Sequence, residues 1–110
     1  MLKPDITAPG TSILAAWPQN VPVEVFGSHK IFSNFNLLSG TSMACPHVAG
    51  VAALLRGAHP EWSVAAIRSA IMTTSDMFDN TMGLIKDIGD GHKQTSPLAL
   101  GAGHVNPNFP

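Results

Sequence analysis

The run Ser39-Gly40-Thr41-Ser42-Met43-Ala44-Cys45-Pro46-His47-Val48-Ala49-Gly50 leads from a small-residue turn straight into a helix that is apolar on every face. Val48, Val51, Ala52 and Leu55 fall at i, i+3, i+4 and i+7, one helical stripe. Met43, Ala49, Ala53 and Leu54 make the other faces apolar too. Such a helix belongs inside a protein, with layers on more than one side. Pro46 fits the first turn, where its missing N–H costs nothing. Arg56-Gly57 has the charge and the glycine of a helix C-terminus, so the predicted helix spans about 42–55. Gly50 costs roughly 1 kcal/mol of helix propensity relative to alanine, which makes close packing its expected purpose. Cys45 is expected to be a buried small hydrophobe.

The turn also carries chemistry. Gly40 lets the backbone bend sharply without a Cβ clash. Ser42 falls at or just before the helix start, where orphan N–H groups and the helix dipole favour negative charge. A tetrahedral oxyanion is such a charge, so the hydroxyl is a candidate nucleophile. The competing reading is structural: a serine before a helix is most often an N-cap.

With 110 residues the chain is one small domain at most. Hydrophobic residues make up 45% and charged residues 12%, more apolar surface than so small a chain can hide. That balance fits a piece cut from a larger core. A net charge of −1 offers no basic field to nucleic acid or membranes. A single cysteine excludes an internal disulfide framework. The N-terminus has no apolar signal-peptide core, and no apolar run is long enough to span a bilayer.

Along the chain, Asp5 to Ala8 reads as a short strand ended by Pro9-Gly10, and Thr11 to Ala16 as a second. Val21, Val23 and Val25 alternate as in a half-exposed strand, which Pro22 places at an edge or a bulge. Gly27-Ser28-His29-Lys30 is the expected turn, and Phe32 to Leu38 leads into the serine turn, partly extended. Ser63 is the expected N-cap of a second helix reaching about Thr73, with Val64, Ile67 and Ile71 on its buried stripe and Arg68 in water. Residues 75–97 read as a long loop.

The ordered motifs resemble those of the subtilisin-like serine proteases, the subtilases, and of their plant members in particular. Gly40-Thr41-Ser42-Met43-Ala44 with Pro46-His47-Val48-Ala49-Gly50 is similar to the family's serine motif. Lys3-Pro4-Asp5-Ile6-Thr7-Ala8-Pro9-Gly10 and Ile13-Leu14-Ala15-Ala16-Trp17 resemble the segment on its N-terminal side. Ala58-His59-Pro60-Glu61-Trp62-Ser63, Ala65-Ala66-Ile67-Arg68-Ser69-Ala70, Met72-Thr73-Thr74 and Gly101-Ala102-Gly103-His104-Val105-Asn106-Pro107 resemble the family's landmarks on its C-terminal side. The resemblance covers nearly the whole chain and implies an α/β fold, a mostly parallel sheet with helices on both faces, incomplete here. It implies peptide hydrolysis through an acyl-enzyme on Ser42, whose backbone N–H supplies one oxyanion donor. Leu38, Ser39, Gly40 and Thr41 match the family's leaving-group side of the cleft and are expected to contact substrate.

The family's triad order is Asp, His, Ser. Its aspartate, histidine and oxyanion-hole asparagine motifs lie upstream and are not in this sequence. Residues 1–110 are therefore expected to be the C-terminal portion of a catalytic domain, without the upstream Asp and His motifs and without the β-rich domain that comes next in plant members. The partners implied are protein or peptide substrates and the missing upstream part of the same domain. No cofactor or metal is implied. By resemblance the parent is extracellular, in the cell wall or apoplast.

Two other readings stand beside it. The chain is a non-enzymatic truncated or pseudo-protease fragment, inert alone, or an α/β-hydrolase esterase. For the latter, Gly40-Thr41-Ser42-Met43-Ala44 nearly meets G-x-S-x-G, with Asp76 and His104 as the downstream acid and base. His47, five residues beyond Ser42, lies on another helix face and is read as structural, as it is in the family. Asp5 is expected to be a hydrogen-bonded structural aspartate, and His59 and His104 packing or loop residues. His29, His59, His92 and His104 show no metal spacing. Asp76, Asp79, Asp87 and Asp90 do not fit a calcium-loop spacing and read as a solvated acidic loop.

Overall fold

The computed structural model describes residues 2–108; Met1 and the terminal Phe109-Pro110 lie outside the described residues. The chain divides into two units, residues 9–45 and residues 1–8 with 46–110. The mixed α/β character expected from the sequence is present and incomplete.

In the 9–45 unit, β1 (Ile13–Ala16) pairs antiparallel with β4 (Phe35–Leu38), Ile13 opposite Leu38 and Ala16 opposite Phe35. Side chains alternate across such a ribbon. Ile13, Ala15, Asn36 and Leu38 are half-buried, while Leu14, Leu37 and Phe35 are exposed. β2 (Glu24–Phe26) and β3 (His29–Ile31) form a hairpin, also antiparallel. The expected four-residue turn is a correction here. Gly27-Ser28 alone closes the hairpin, and His29-Lys30 already belong to β3. Gly27 has φ 60°, the positive angle that two-residue hairpin loops require, so a tighter turn is accessible.

Helix α1 (Thr41–Ala58) starts in this unit and continues into the other. It passes Arg56-Gly57 and ends at Ala58, and the N–H of the next residue, His59, donates to the Leu55 carbonyl at 2.8 Å. Val48, Val51 and Leu55 are half-buried, but no residue of α1 is fully buried and Leu54 is 71% exposed. Two expectations fail on this helix. Cys45 is exposed, and a Cβ at Gly50 would meet nothing within 4 Å. Both have the same cause: the layers that an all-round apolar helix calls for are not present among the described residues.

In the second unit, α2 (Val64–Thr73) begins where the sequence put it. Ser63 caps it, its Oγ accepting from the Ala66 N–H at 3.1 Å. Ile71 is buried and Ile67 half-buried, but Val64 is 84% exposed, against expectation, because nothing described covers the first turn. His59 stacks on Trp62 at 4.1 Å, and Arg56 donates to the Trp62 carbonyl, tying the α1–α2 corner.

Residues 75–97 are more ordered than a loop. β5 (Lys86–Asp87) and β6 (Lys93–Gln94) pair antiparallel around a 3₁₀ turn at Ile88–Asp90. Asp79 pins another turn, its Oδ1 accepting from the Thr81 N–H and hydroxyl and from the Gly83 N–H. A short helix α3 (Pro97–Leu100) comes next.

The buried hydrophobics of the described residues are Ile71, Leu100 and Val105. Ile71 and Val105 line one cavity, and residues 101–105 run between two other segments. Thr7 bridges His104 in parallel, the parallel pairing among the described residues, and Asp76 bridges His104 antiparallel. The Thr7 N–H donates to the Gly103 carbonyl, the Val105 N–H to Thr7 and the His104 N–H to Asp76, at 2.7–2.8 Å. Both glycines are required here. A Cβ on Gly101 (φ 67°) would lie 2.5 Å from the Asp5 carbonyl carbon, and one on Gly103 (φ 143°) 2.6 Å from the Asp76 oxygen.

Candidate functional site

Ser42 stands on the first turn of α1, two residues further in than the N-cap. Gly40 takes the cap position, with φ 150°, and its carbonyl accepts from the Met43 and Ala44 N–H groups at 3.0 and 3.3 Å. The capping role is thus filled by the glycine, and the Ser42 hydroxyl is not spent on it. Ser42 is exposed, and its hydroxyl makes no hydrogen bond among the described residues. The Thr41 and Ser42 N–H groups likewise have no acceptor among the described residues. Two N–H donors without an acceptor and the positive end of an 18-residue helix therefore share the first turn with the hydroxyl.

The turn is held from one side. The Gly40 N–H donates to the Gly10 carbonyl at 2.7 Å, and the Ser12 N–H donates to Ser39 Oγ at 2.8 Å. Gly10 must be glycine for this approach. A Cβ there would sit 2.9 Å from the Gly40 oxygen and 3.2 Å from the Ala44 Cβ. The antiparallel β1–β4 ribbon brings Leu38, the last residue of β4, to the turn, paired with Ile13. Leu38 is half-buried, whereas Ser39, Gly40 and Thr41 are exposed in sequence order ahead of Ser42. All of these residues belong to the 9–45 unit, so the turn and its support form one local piece. Sequence reasoning named the serine turn but missed the role of Gly10. The Pro9-Gly10 pair signalled a turn, and only the fold shows which backbone it lies against.

The other chemistry-bearing residues have structural partners. The Asp5 carboxylate is gripped by Lys3 and by Arg68 Nη2 at 2.7 Å. The lysine, then the arginine, hold its carboxyl below the ordinary value of 3.8. It is the structural aspartate expected, and Arg68 is its partner as well as solvent-facing. The Asp79 carboxyl is also held low, first by the Thr81 hydroxyl and then by the Thr81 N–H. Asp76 accepts from Asn106 Nδ2 at 2.8 Å, and His104 Nδ1 lies 2.9 Å from the Val105 oxygen. Asp76 and His104 are joined through their backbones, and their described side-chain bonds lead elsewhere. His47 is exposed on α1. Among the described residues no group of three or more His, Cys, Asp or Glu is close enough to hold a metal. No described helix is long and apolar enough to cross a membrane.

Comparison with known proteins matches residues 1–103 to the subtilase family profile. The chain is 58% identical over 107 residues to subtilisin-like protease SBT3 of Solanum lycopersicum, covering 96% of this chain and 14% of that protein. It is 53% identical over 109 residues to subtilisin-like protease SBT1.2 of Arabidopsis thaliana, covering 97% of this chain and 13% of the relative. Subtilisin-like protease SBT3.18 of Arabidopsis thaliana is 56% identical over 100 residues, 90% of this chain and 13% of its own length. The chain thus spans about one seventh of the length of these relatives.

Proposed function

Because the chain belongs to the subtilase family of serine proteases, we propose that it is the serine-bearing, C-terminal part of the catalytic domain of a secreted plant endopeptidase, with Ser42 as the nucleophile. The observation that carries the reading is the exposed, uncommitted hydroxyl of Ser42 beside two free N–H donors at the start of α1. A serine capping the helix would have its oxygen tied to the N–H of a residue two or three further on. This one is left for a base to deprotonate.

In this reading the Ser42 Oγ attacks the carbonyl carbon of a peptide bond. A histidine from the upstream part of the domain takes the proton and returns it to the leaving amine. The Ser42 N–H donates to the oxyanion, helped by the helix dipole. Leu38, Ser39, Gly40 and Thr41 line the path of substrate residues after the scissile bond. The substrates are proteins or peptides in the extracellular space. The polypeptide alone is inert, because a serine hydroxyl without its base is an ordinary alcohol.

The test joins the chain to an upstream Asp- and His-bearing subtilase segment and measures peptide cleavage. Ser42→Ala abolishes cleavage while His47→Gln leaves it substantially intact. Cleavage by the Ser42→Ala form at the parent rate, with the serine elsewhere, would refute the assignment.

A further inference from the structure

Of the five aspartates in this chain, four have committed carboxylates. Asp5 is held by Lys3 and Arg68, and Asp76 by Asn106. Asp79 is held by Thr81 and Gly83, and Asp87 accepts from the Gly89 N–H at 2.8 Å. Asp90 differs. Its side chain is 68% exposed, and its contact is Lys93 Nζ at 3.4 Å, also exposed. Its C-terminal neighbour differs as well. Ile6, Met77, Asn80 and Ile88 shield the next amide after the other four, but Asp90 precedes Gly91. Gly91 sits in the left-handed region (φ 64°, ψ 36°), with open space where a Cβ would be.

We propose that Asp90–Gly91 is a modification site, at which the backbone converts spontaneously to an isoaspartyl linkage. The Gly91 nitrogen, giving its proton to water, attacks Cγ of the protonated Asp90 carboxyl. The N–Cγ bond forms, the C–OH bond breaks, and water leaves a five-membered succinimide. Water then opens the ring. Addition at Cγ restores aspartate; addition at the α-carbonyl breaks its bond to the Gly91 nitrogen and leaves the chain running through the side chain. No oxidant or cofactor enters, and the product has the mass of the starting chain. The extra backbone carbon falls between Asp87 and Lys93, the pair that closes the β5–β6 hairpin. The hairpin therefore loses its register as the site turns over.

The experiment incubates the 110-residue chain at neutral pH and 37 °C in ¹⁸O-water. Isoaspartate and oxygen label are then located by peptide mass spectrometry and by methylation with an isoaspartyl methyltransferase. A synthetic peptide of residues 86–94 gives the unprotected rate. Label accumulates at Asp90 and not at Asp79 or Asp87, at a rate within about fivefold of the peptide's, since an exposed turn needs little opening. Asp90→Glu removes it, because the longer side chain would close a six-membered ring. A rate at Asp90 more than fivefold below the peptide's, or equal labelling at Asp79 and Asp87, would overturn the proposal.

Discussion

Gly10→Ala is the most pointed perturbation of the serine turn. The new Cβ would stand 2.9 Å from the Gly40 oxygen and 3.2 Å from the Ala44 Cβ, where ordinary contact begins at 3.4 Å. The neighbour at 2.9 Å is backbone and cannot rotate away, so the turn carrying Ser42 must move by about 0.5 Å. A 1 Å misplacement of a reacting group can cost about a hundredfold in rate, so half of that predicts a loss of roughly tenfold. The overpacking itself costs about 1–3 kcal/mol. The assay is steady-state peptide cleavage by the chain joined to an upstream Asp- and His-bearing segment, with thermal melting alongside. The loss appears in kcat more than in KM, because the nucleophile moves while most of the cleft does not. Unchanged kcat in Gly10→Ala would refute the claim that Gly10 positions the turn.

Other expectations come from the second unit and from pH. Gly101→Ala and Gly103→Ala each force a Cβ onto backbone atoms at a positive φ. Gly101→Ala costs about 1–2 kcal/mol for the left-handed conformation and about 1–3 kcal/mol for the overlap, enough to erase protease resistance of α2 in limited digestion. Resistance equal to the parent chain would contradict this. Asp5 and Asp79 have carboxyls held below the ordinary 3.8 in the fold, so the unfolded chain takes up protons first. Their stabilisation is fully present above the ordinary value and is lost as pH falls through the lower folded values. Asp5→Asn should flatten the acid limb of a stability-versus-pH curve, and an unaltered limb would discount the Lys3–Asp5–Arg68 cluster. The 110-residue chain in dilute buffer should self-associate in sedimentation, since Leu14, Phe26, Phe35, Leu37 and Leu54 are all exposed. A sharply melting monomer would count against the view that it is part of a larger core.

The two main helices were legible because their signals are local. Ser63 as cap and the stripe ending at Ile71 set the bounds of α2, and the small-residue turn set the start of α1 within a residue. Burial was less legible. Periodicity says which face wants cover, not whether the cover exists, so Val64, Cys45 and Gly50 are all less enclosed than their pattern suggests. The β3 strand of the 24–31 hairpin and the whole hairpin at 86–94 escaped for a different reason. Strands of two or three residues have too few positions to show alternation, and their pairing is fixed by turn geometry at Gly27 and Gly91. At the site, the serine turn was readable as a motif. The hydrogen bond from Gly40 to Gly10 joins residues thirty apart and needed coordinates.

The central claim is that Ser42 is a nucleophile whose base comes from outside this chain. Its most direct test is the mass of the Ser42-bearing peptide after exposure to a serine-directed phosphonylating probe. The chain alone should remain unmodified, and the same chain joined to the upstream Asp- and His-bearing segment should carry one adduct on Ser42. Stoichiometric labelling of the chain alone would contradict the account by showing a base within it, with His104 the first residue to replace. An adduct on another serine of the joined protein would contradict it by removing Ser42 from the chemistry.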